Sequence, residues 1–526
     1  MARPFYVTTP IYYVNDSPHI GHAYTSLAAD MMARFARLQG RDVKFLTGTD
    51  EHGQKVEKSA ENAGKTPQDF VDEVSQRFRV MSERLQLTHD DFIRTTEPRH
   101  IKAAQALWTT LIERDEIYKG TYAGWYAIRD EAFYQEAELI DGKAPTGALV
   151  EWVEEESYFF RLSKWEKPLL AYFEAHPDFM GPTSRRNEVT SFVTGGLRDL
   201  SVSRSTFKWG VPVPGDAGHV MYVWLDALTN YLTALDYPAK MPTSDGYWGN
   251  SLHLVGKDIL RFHCVYWPAF LMAAGLPVPK RVYAHGWLTN AGAKISKSVG
   301  NAIDPMALID TFGLDQFRYF FLREVPFGKD GEYSETAFIQ RINSDLANDL
   351  GNLVQRVLAF IQKHAGAEIP PVQEFTADDA EILGAWKGVL AQMTDAFETQ
   401  ALHRLCEHLW TLVGDANRYI DLQQPWSLRK TDTARMGTVL YTLTEVIRHI
   451  GILAQPIVPL GAAKILETLG VPLDARQFTH LETHPLQSGV PLPVPTPIFP
   501  RFQKQETSEL SSKDTIDTHP GGKASS

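Results

Sequence analysis

Residues 5–53 read FYVTTPIYYVNDSPHIGHAYTSLAADMMARFARLQGRDVKFLTGTDEHG, and this stretch decides the fold. Phe5-Tyr6-Val7-Thr8 is aromatic and β-branched, as a pleated, buried strand requires. Ser17-Pro18 offers a helix cap followed by proline at the first helical position. Ile20, Tyr24, Leu27, Met31, Phe35 and Leu38 then recur at spacings of three and four, one face of a helix. Gly40 stands where such a helix stops. Val43-Lys44-Phe45-Leu46 is a second strand, and Thr47–Gly53 is the polar loop that follows it. The unit is β-α-β. Its polar loops fall at the carboxyl ends of the strands, where open α/β sheets bind ligands.

The rest of the 526 residues allows about three or four domains. A hydrophobic fraction of 44% and a mean hydropathy of −0.24 are ordinary for a soluble globular chain. No apolar run reaches the roughly 18 residues of a membrane span, and the N-terminus enters a strand with no signal-peptide pattern. The two cysteines, Cys264 and Cys406, form no C-x-x-C pair, which argues against a disulfide framework and fits a reducing cytoplasm. The net charge of −12 excludes nonspecific coating of nucleic acid. Any RNA contact must use a local patch.

Outward from the opening unit, helical patterns run to about residue 119. Residues 120–214 change character, with glycines, prolines and tryptophans among short strand-like runs, and read as an inserted connective domain. Strand patterns resume at Val220–Val223, Leu252–Val255 and Arg281–Ala284. Residues 1–119 and 215–287 are thus two halves of one Rossmann-like parallel-sheet domain. Residues 288–336 hold a lysine loop, and 337–500 read as a C-terminal α-helical bundle. Residues 501–526, rich in Ser, Thr, Lys and Glu, are expected to be disordered.

Two short motifs carry chemistry. His19-Ile20-Gly21-His22 lies at a helix start, where free N–H groups and the helix dipole attract anions. Two imidazoles there add donors for a phosphate, and Gly21 leaves room for a flat ring against the backbone. Taken alone, they read equally well as two surface histidines. Lys294-Ile295-Ser296-Lys297-Ser298 places two ammoniums and two hydroxyls on one loop, a group suited to polyphosphate charge. Taken alone, it is a solvated basic loop. Their order along one sheet is what joins them.

That pairing resembles the HIGH and KMSKS signatures of the class I aminoacyl-tRNA synthetases. The second departs from the family form at Ile295, where methionine is usual and the position stays apolar. Within the class, the chain resembles the methionyl-tRNA synthetase family of the bacterial type without zinc-knuckle cysteines. The likeness spans roughly residues 3–500. It is carried by Tyr6–Asn15, Thr47–Gly53, Tyr222–Ala227, Gly256–Ile259, Asp349–Val354, Asn417–Ile420 and Pro425-Trp426. The resemblance implies an ATP-dependent ligase that forms methionyl-adenylate and transfers methionine to the 3′ end of tRNA(Met), initiator and elongator alike.

By the same resemblance, His19, His22, Lys294 and Lys297 are the catalytic set. ATP would meet Asn15, His19, Gly21, His22, Gly256, Asp258, Ile295 and Lys297. Methionine would meet Ile11, Tyr13, Asp50, Trp224, Ala227, Tyr231, Phe262, His263 and Trp267, with Asp50 on the ammonium. Aromatic walls suit a polarisable thioether. Asn352, Arg356 and Trp426 would read the anticodon, by base edges and stacking. Mg²⁺ is expected with ATP. Family members without an appended oligonucleotide-binding domain are often monomers, and a monomer is expected here.

Many relatives carry zinc-binding cysteines in the insertion. Here Ala127 and Asp130 fall at cysteine positions, so no structural zinc is expected. The insertion is too short for the large editing domain of the isoleucyl, valyl and leucyl enzymes. Two other classes stay open. A non-catalytic tRNA-binding paralogue would have lost His19, His22 or Lys297. A small-molecule adenylyltransferase sharing H-x-G-H would not need Asn352, Arg356 and Trp426.

Overall fold

The computed structural model describes residues 2–503 except 16, 131, 135, 291–292 and 296–302. Its centre is a seven-stranded parallel sheet made of β1 (Pro4–Thr8), β2 (Tyr12–Tyr13), β3 (Asp42–Asp50), β4 (Asp91–Arg94), β5 (Met180–Gly181), β6 (Ser251–Gly256) and β7 (Arg281–His285). Across the sheet the order runs β4, β3, β1, β6, β7, β5, and β2 continues the line of β1 along β3. The register pairs Tyr6 with Lys44 and Val7 with Phe45 on one side, and Val7 with Leu252 on the other. Alternation sends Phe5 and Val7 into one core and Tyr6 into the other, so the two-residue period of the strand fills both faces. Gly48 lies at a close approach, since a Cβ there would sit 2.0 Å from the carbonyl oxygen of Ile93 in β4.

Helix α1 (Ile20–Leu38) crosses between β1 and β3. It is buried nearly all round because the C-terminal helices cover its far side. Phe35 stacks on Phe397 of the bundle at 4.9 Å and meets Phe478 edge-on at 5.0 Å. Sheet and bundle therefore share one hydrophobic core.

The segment expected as one insertion divides in two. Ile117–Ala127 and Glu151–Phe160 pair antiparallel, from Ile117 with Phe160 to Tyr126 with Glu151, and Ala132–Tyr134 and Leu200–Ser201 flank them. Met180–Gly181, by contrast, pairs with Val282–Tyr283 as the edge strand β5 of the parallel sheet. A two-residue edge strand leaves no periodic signal, and composition alone runs the boundary past it.

Beyond β7, Leu288–Asn290 pairs with Ala293–Lys294 and with Gly331–Tyr333. The long helix expected from Phe338 to Phe360 is continuous but widened. Glu335–Arg341 is α-helical, Ile342–Gly351 is π-helical, and Asn352–His364 is α-helical again. The helices Ala377–Glu398, Leu402–Gln423, Pro425–Thr431, Thr433–Ala454 and Pro459–Thr468 complete the bundle. Of the tail expected to be disordered from residue 501, Phe502 packs 4.7 Å from the Phe312 ring and its N–H donates to Asn343 (2.8 Å), while residues 504–526 lie outside the described residues. Among the described residues, no helix is long and apolar enough to cross a membrane.

Candidate active site

The carboxyl ends of β2, β3, β6 and β7 and the first turn of α1 enclose a cleft of about 620 Å³. Fourteen of the expected residues line it: Ile11, Tyr13, Asn15, His19, Gly21, His22, Asp50, Trp224, Ala227, Tyr231, Gly256, Asp258, His263 and Ile295. They come from segments more than 250 residues apart in sequence, as the span from Ile11 to Ile295 requires.

The two histidines hold each other. His19 is the N-cap of α1, and its Nδ1 accepts from the Gly21 N–H at 3.1 Å. His22 Nδ1 accepts from the His19 N–H at 3.1 Å. This is a capping box built from imidazoles, and the rings stack at 3.7 Å. An Nδ1 that accepts carries no hydrogen, so each neutral ring keeps its N–H at Nε2. The pair thus brings two imidazole donors to the end of a helix dipole. Gly21 has a use beyond the one its sequence position suggests. A Cβ there would press on the His19 ring at 3.0 Å, so the missing side chain first makes room for the histidine.

Beside them, the Asn15 amide fits best with its nitrogen donating to the Tyr13 carbonyl (3.2 Å) and its oxygen accepting from Lys55 Nζ (3.1 Å). Gly256 approaches Asp258, whose Oδ1 would lie 2.6 Å from an added Cβ. Asp50 ends β3, and its neighbour Glu51 is fully buried. Arg94 donates to both oxygens of Glu51 (2.7 and 2.9 Å), and Thr49 and Thr96 also donate to it. That fixes the backbone that carries Asp50.

At the apolar end, Trp224 stacks flat on Phe262 at 3.8 Å and meets His263 edge-on. His263 is buried. Its Nδ1–H donates to the Ile259 carbonyl (2.9 Å), so its Nε2 accepts from the Tyr231 hydroxyl (2.7 Å). Burial pulls its pKa down to about 4, so the ring is neutral at physiological pH. Tyr231 in turn accepts at its carbonyl from the Tyr6 hydroxyl at 3.0 Å. Two of the residues expected around methionine do not line the cleft. Phe262 stands behind Trp224, and Trp267 is completely buried between Tyr231 (6.5 Å) and Trp248 (6.2 Å).

The lysine loop is described at its base. Lys294 pairs by its backbone with Thr289. Ile295 is buried, and its N–H donates to the Leu288 carbonyl at 3.1 Å, so the position facing the core is the one that departs from the family form. Ser296, Lys297 and Ser298 lie outside the described residues. The base is clipped from below: Lys257 Nζ donates to both oxygens of Asp330 (2.7 and 2.8 Å) and sits 3.9 Å over the Trp287 ring, while the Trp287 N–H donates to Asp330 at 2.8 Å.

The cleft also holds residues not expected in it from the sequence, among them Asn230, His285, Trp287, Arg129 and Asp130. His285 ends β7, and the rule of strand carboxyl ends would have found it. It bonds Thr25 Oγ1 at 2.7 Å, and burial lowers its pKa. Arg129 and Asp130 reach in from the insertion, and no local pattern announces that. Asp130 accepts from the Tyr134 hydroxyl (3.1 Å) and from Thr146, while Ala127 packs with Ala144 and Ala148.

In the bundle, Asn352 is exposed and Trp426 is 40% exposed. Arg356 donates to Asp421 (2.8 Å), and its guanidinium lies 5.7 Å from the Trp426 ring centre. The three expected residues therefore share one surface, on two helices that meet.

Comparison with known proteins follows these features. A family model described as tRNA synthetases class I (M) matches residues 5–151 and 138–358. One described as the anticodon binding domain of methionyl tRNA ligase matches 369–515. The chain is 54% identical over 503 residues to a methionine–tRNA ligase of Brucella suis, covering 95% of this chain and 98% of the relative. It is 54% identical over 508 residues to that of Rickettsia felis, covering 96% and 99%. Among solved structures it is similar to the Mycobacterium tuberculosis methionyl-tRNA synthetase in complex with methionyl-adenylate. The TM-score is 0.91 at 49% identity, covering 95% of this chain and all of that one.

Proposed function

The chain belongs to the class I methionyl-tRNA synthetase family, and from that premise we propose how its cleft divides the work. The reaction is ligation of methionine to tRNA(Met). Methionine and ATP give methionyl-adenylate and pyrophosphate, and the methionyl group then passes to the tRNA 3′ end.

In the first step the methionine carboxylate attacks the α-phosphorus in line, and pyrophosphate departs. Positioning and charge stabilisation supply the catalysis, with no protein nucleophile. His19 and His22 hold the phosphates through their Nε2–H groups. The observation that carries this is the capping box, which commits both Nδ1 atoms to backbone donors. Lys297, with Lys294, stabilises the departing pyrophosphate. Asn15, Gly21, Gly256 and Ile295 flank the nucleotide, and Asp258 meets its ribose. Asp50 pairs with the substrate ammonium. Ile11, Tyr13, Trp224, Ala227, Tyr231 and His263 surround the thioether, with Phe262 and Trp267 supporting them from behind. Neutral His263 suits that role, since a charged ring would have to be desolvated beside an apolar side chain.

Mg²⁺ enters with ATP as part of the substrate. The insertion is read as zinc-free, because Ala127 and Asp130 stand where many relatives have cysteines. Asn352, Arg356 and Trp426 read the anticodon. The enzyme acts as a cytoplasmic monomer, in step with its role in translation.

The test is ATP–pyrophosphate exchange with each amino acid in turn. Among the twenty coded amino acids, methionine alone should support it. Homocysteine, one methyl smaller, should be discriminated by only about 1–3 kcal/mol in the pocket. Lys297→Ala should lower the exchange rate roughly 10²–10³-fold, the scale for losing one transition-state donor, with methionine affinity little changed. An unchanged rate would remove Lys297 from this role.

A further inference from the structure

Behind the amino-acid end of the cleft lies a buried trio that the reaction does not consume. Asp226 is fully buried in the short helix Val223–Leu228, between Trp224 and Ala227. His52 follows Asp50 by two residues on the loop after β3. His52 Nδ1 lies 2.6 Å from Asp226 Oδ2, and His100 Nε2 lies 2.7 Å from Asp226 Oδ1. None of the three is among the residues lining the cleft. Burial alone would raise the Asp226 pKa, but the two histidines outweigh it and hold it at about 2. An ionised carboxylate only accepts, so both histidines must donate.

The His52 ring meets Trp209 edge-on at 5.6 Å as well as Asp226. The backbone of its loop is already clipped by Trp209, whose Nε1–H donates to the Glu51 carbonyl (2.6 Å) and whose own carbonyl accepts from the Gly53 N–H (2.9 Å). Glu51 faces the other way, onto Arg94. The His52 side chain crosses to the Trp224–Ala227 helix. That helix carries the thioether wall, and the His52 loop continues from Asp50, the partner of the ammonium, at the end of β3. The two ends of the same substrate are thus gripped by two elements joined through one charge-assisted bond, the strong kind.

We infer that Asp226 and His52 are positioning residues that set the distance between the ammonium and thioether subsites of the methionine pocket, with His100 holding the carboxylate from behind. The inference rests on the methionine-activating role proposed above. It goes beyond that role in assigning amino-acid binding to a pair that touches no substrate atom.

The experiment is pyrophosphate exchange under separate saturation of methionine and ATP, on the full chain. Asp226→Asn keeps the shape but turns one acceptor into a donor facing a donor. It should raise KM for methionine about tenfold or more, with KM for ATP within about twofold, the pattern of lost amino-acid positioning. His52 supplies the second arm. Asparagine places an amide N–H at the Nδ1 position, and glutamine places it at the Nε2 position. His52→Asn should keep KM for methionine near wild type, whereas His52→Gln should raise it as Asp226→Asn does. If Asp226→Asn does not fold, the two His52 variants decide alone. Equal KM values for His52→Asn and His52→Gln, or parallel rises for methionine and ATP, would overturn the inference and leave a structural network only. Absence of methionine-dependent exchange in the wild type would instead overturn the functional reading.

Discussion

At the scale of the residue, His19 carries two loads that one substitution can separate. Its Nδ1 caps α1, and its Nε2–H is the donor proposed for the phosphate. His19→Asn keeps a side-chain acceptor at the cap, where asparagine is among the best residues, but removes the outer donor. Exchange should fall roughly 10²–10³-fold while the melting curve is unmoved. His19→Ala loses both functions and should also cost about 1 kcal/mol of stability, the price of a cap. Wild-type exchange in His19→Asn would show that the cap is the whole role. The sequence displayed the two histidines near a helix start, so the phosphate reading was open from the motif, but it placed the cap at Ser17, where the structure has His19 as cap and Ile20 as the first helical residue. It could not display the tautomers, which depend on backbone N–H groups that point only after the turn has formed. Nor did it display the first use of Gly21, which is to admit the His19 ring.

At the scale of the element, legibility follows period and length. α1 and the bundle helices are long and strongly patterned, and were legible. The two-residue β5 was not, nor was the π-helical widening at Ile342–Gly351, because its residues still place an apolar side chain every three or four positions. Helix Ala377–Glu398 has a charged joint that patterning also hides. Thr376 and Asp379 form its capping box, and the buried Asp379 carboxylate accepts from Tyr419 and Arg435. Burial pushes its pKa up, but Arg435, Tyr419 and the Thr376 N–H bring it down to about 2. A depressed carboxylate stabilises the fold above its unfolded value near 4, and that contribution fades as pH falls towards 2. Asp379→Asn should therefore lower stability at pH 7 and flatten its dependence between pH 4 and 2, read by denaturant melts across that range. A variant whose acid dependence matches wild type would place the titrating group elsewhere.

At the scale of the molecule, the question is how the anticodon surface and the cleft, built from opposite ends of the chain, act as one enzyme. Two families of residues answer it, and only one was legible. Asn352, Arg356 and Trp426 were found by motif resemblance. The joint between the halves was not, because a buried arginine in a helical pattern reads as a polar interruption until its partners arrive from remote segments. Arg318, in helix Leu314–Glu324, is fully buried and pairs with Asp30 of α1 at 2.8 Å. It also donates to the carbonyls of Pro456 (3.0 Å) and Ile457 (3.2 Å) in the bundle. One guanidinium thus ties the helix that starts at His19 to the domain that carries Trp426. Arg318→Met removes the donors but keeps a flexible apolar chain. It should cost roughly 3–5 kcal/mol, because it leaves a buried carboxylate and two carbonyls short of partners. The functional expectation is sharper. Trp426→Ala should spare exchange and weaken charging by the 1–3 kcal/mol of one stacked base. If Arg318 transmits the bundle's position to α1, Arg318→Met assayed well below its melting temperature should also lower charging more than exchange. It should then blunt the further effect of Trp426→Ala, since coupled sites do not add. Additive losses in the double variant would reduce Arg318 to a stabilising bond, and leave orientation of the two halves to the shared apolar core between Phe35, Phe397 and Phe478.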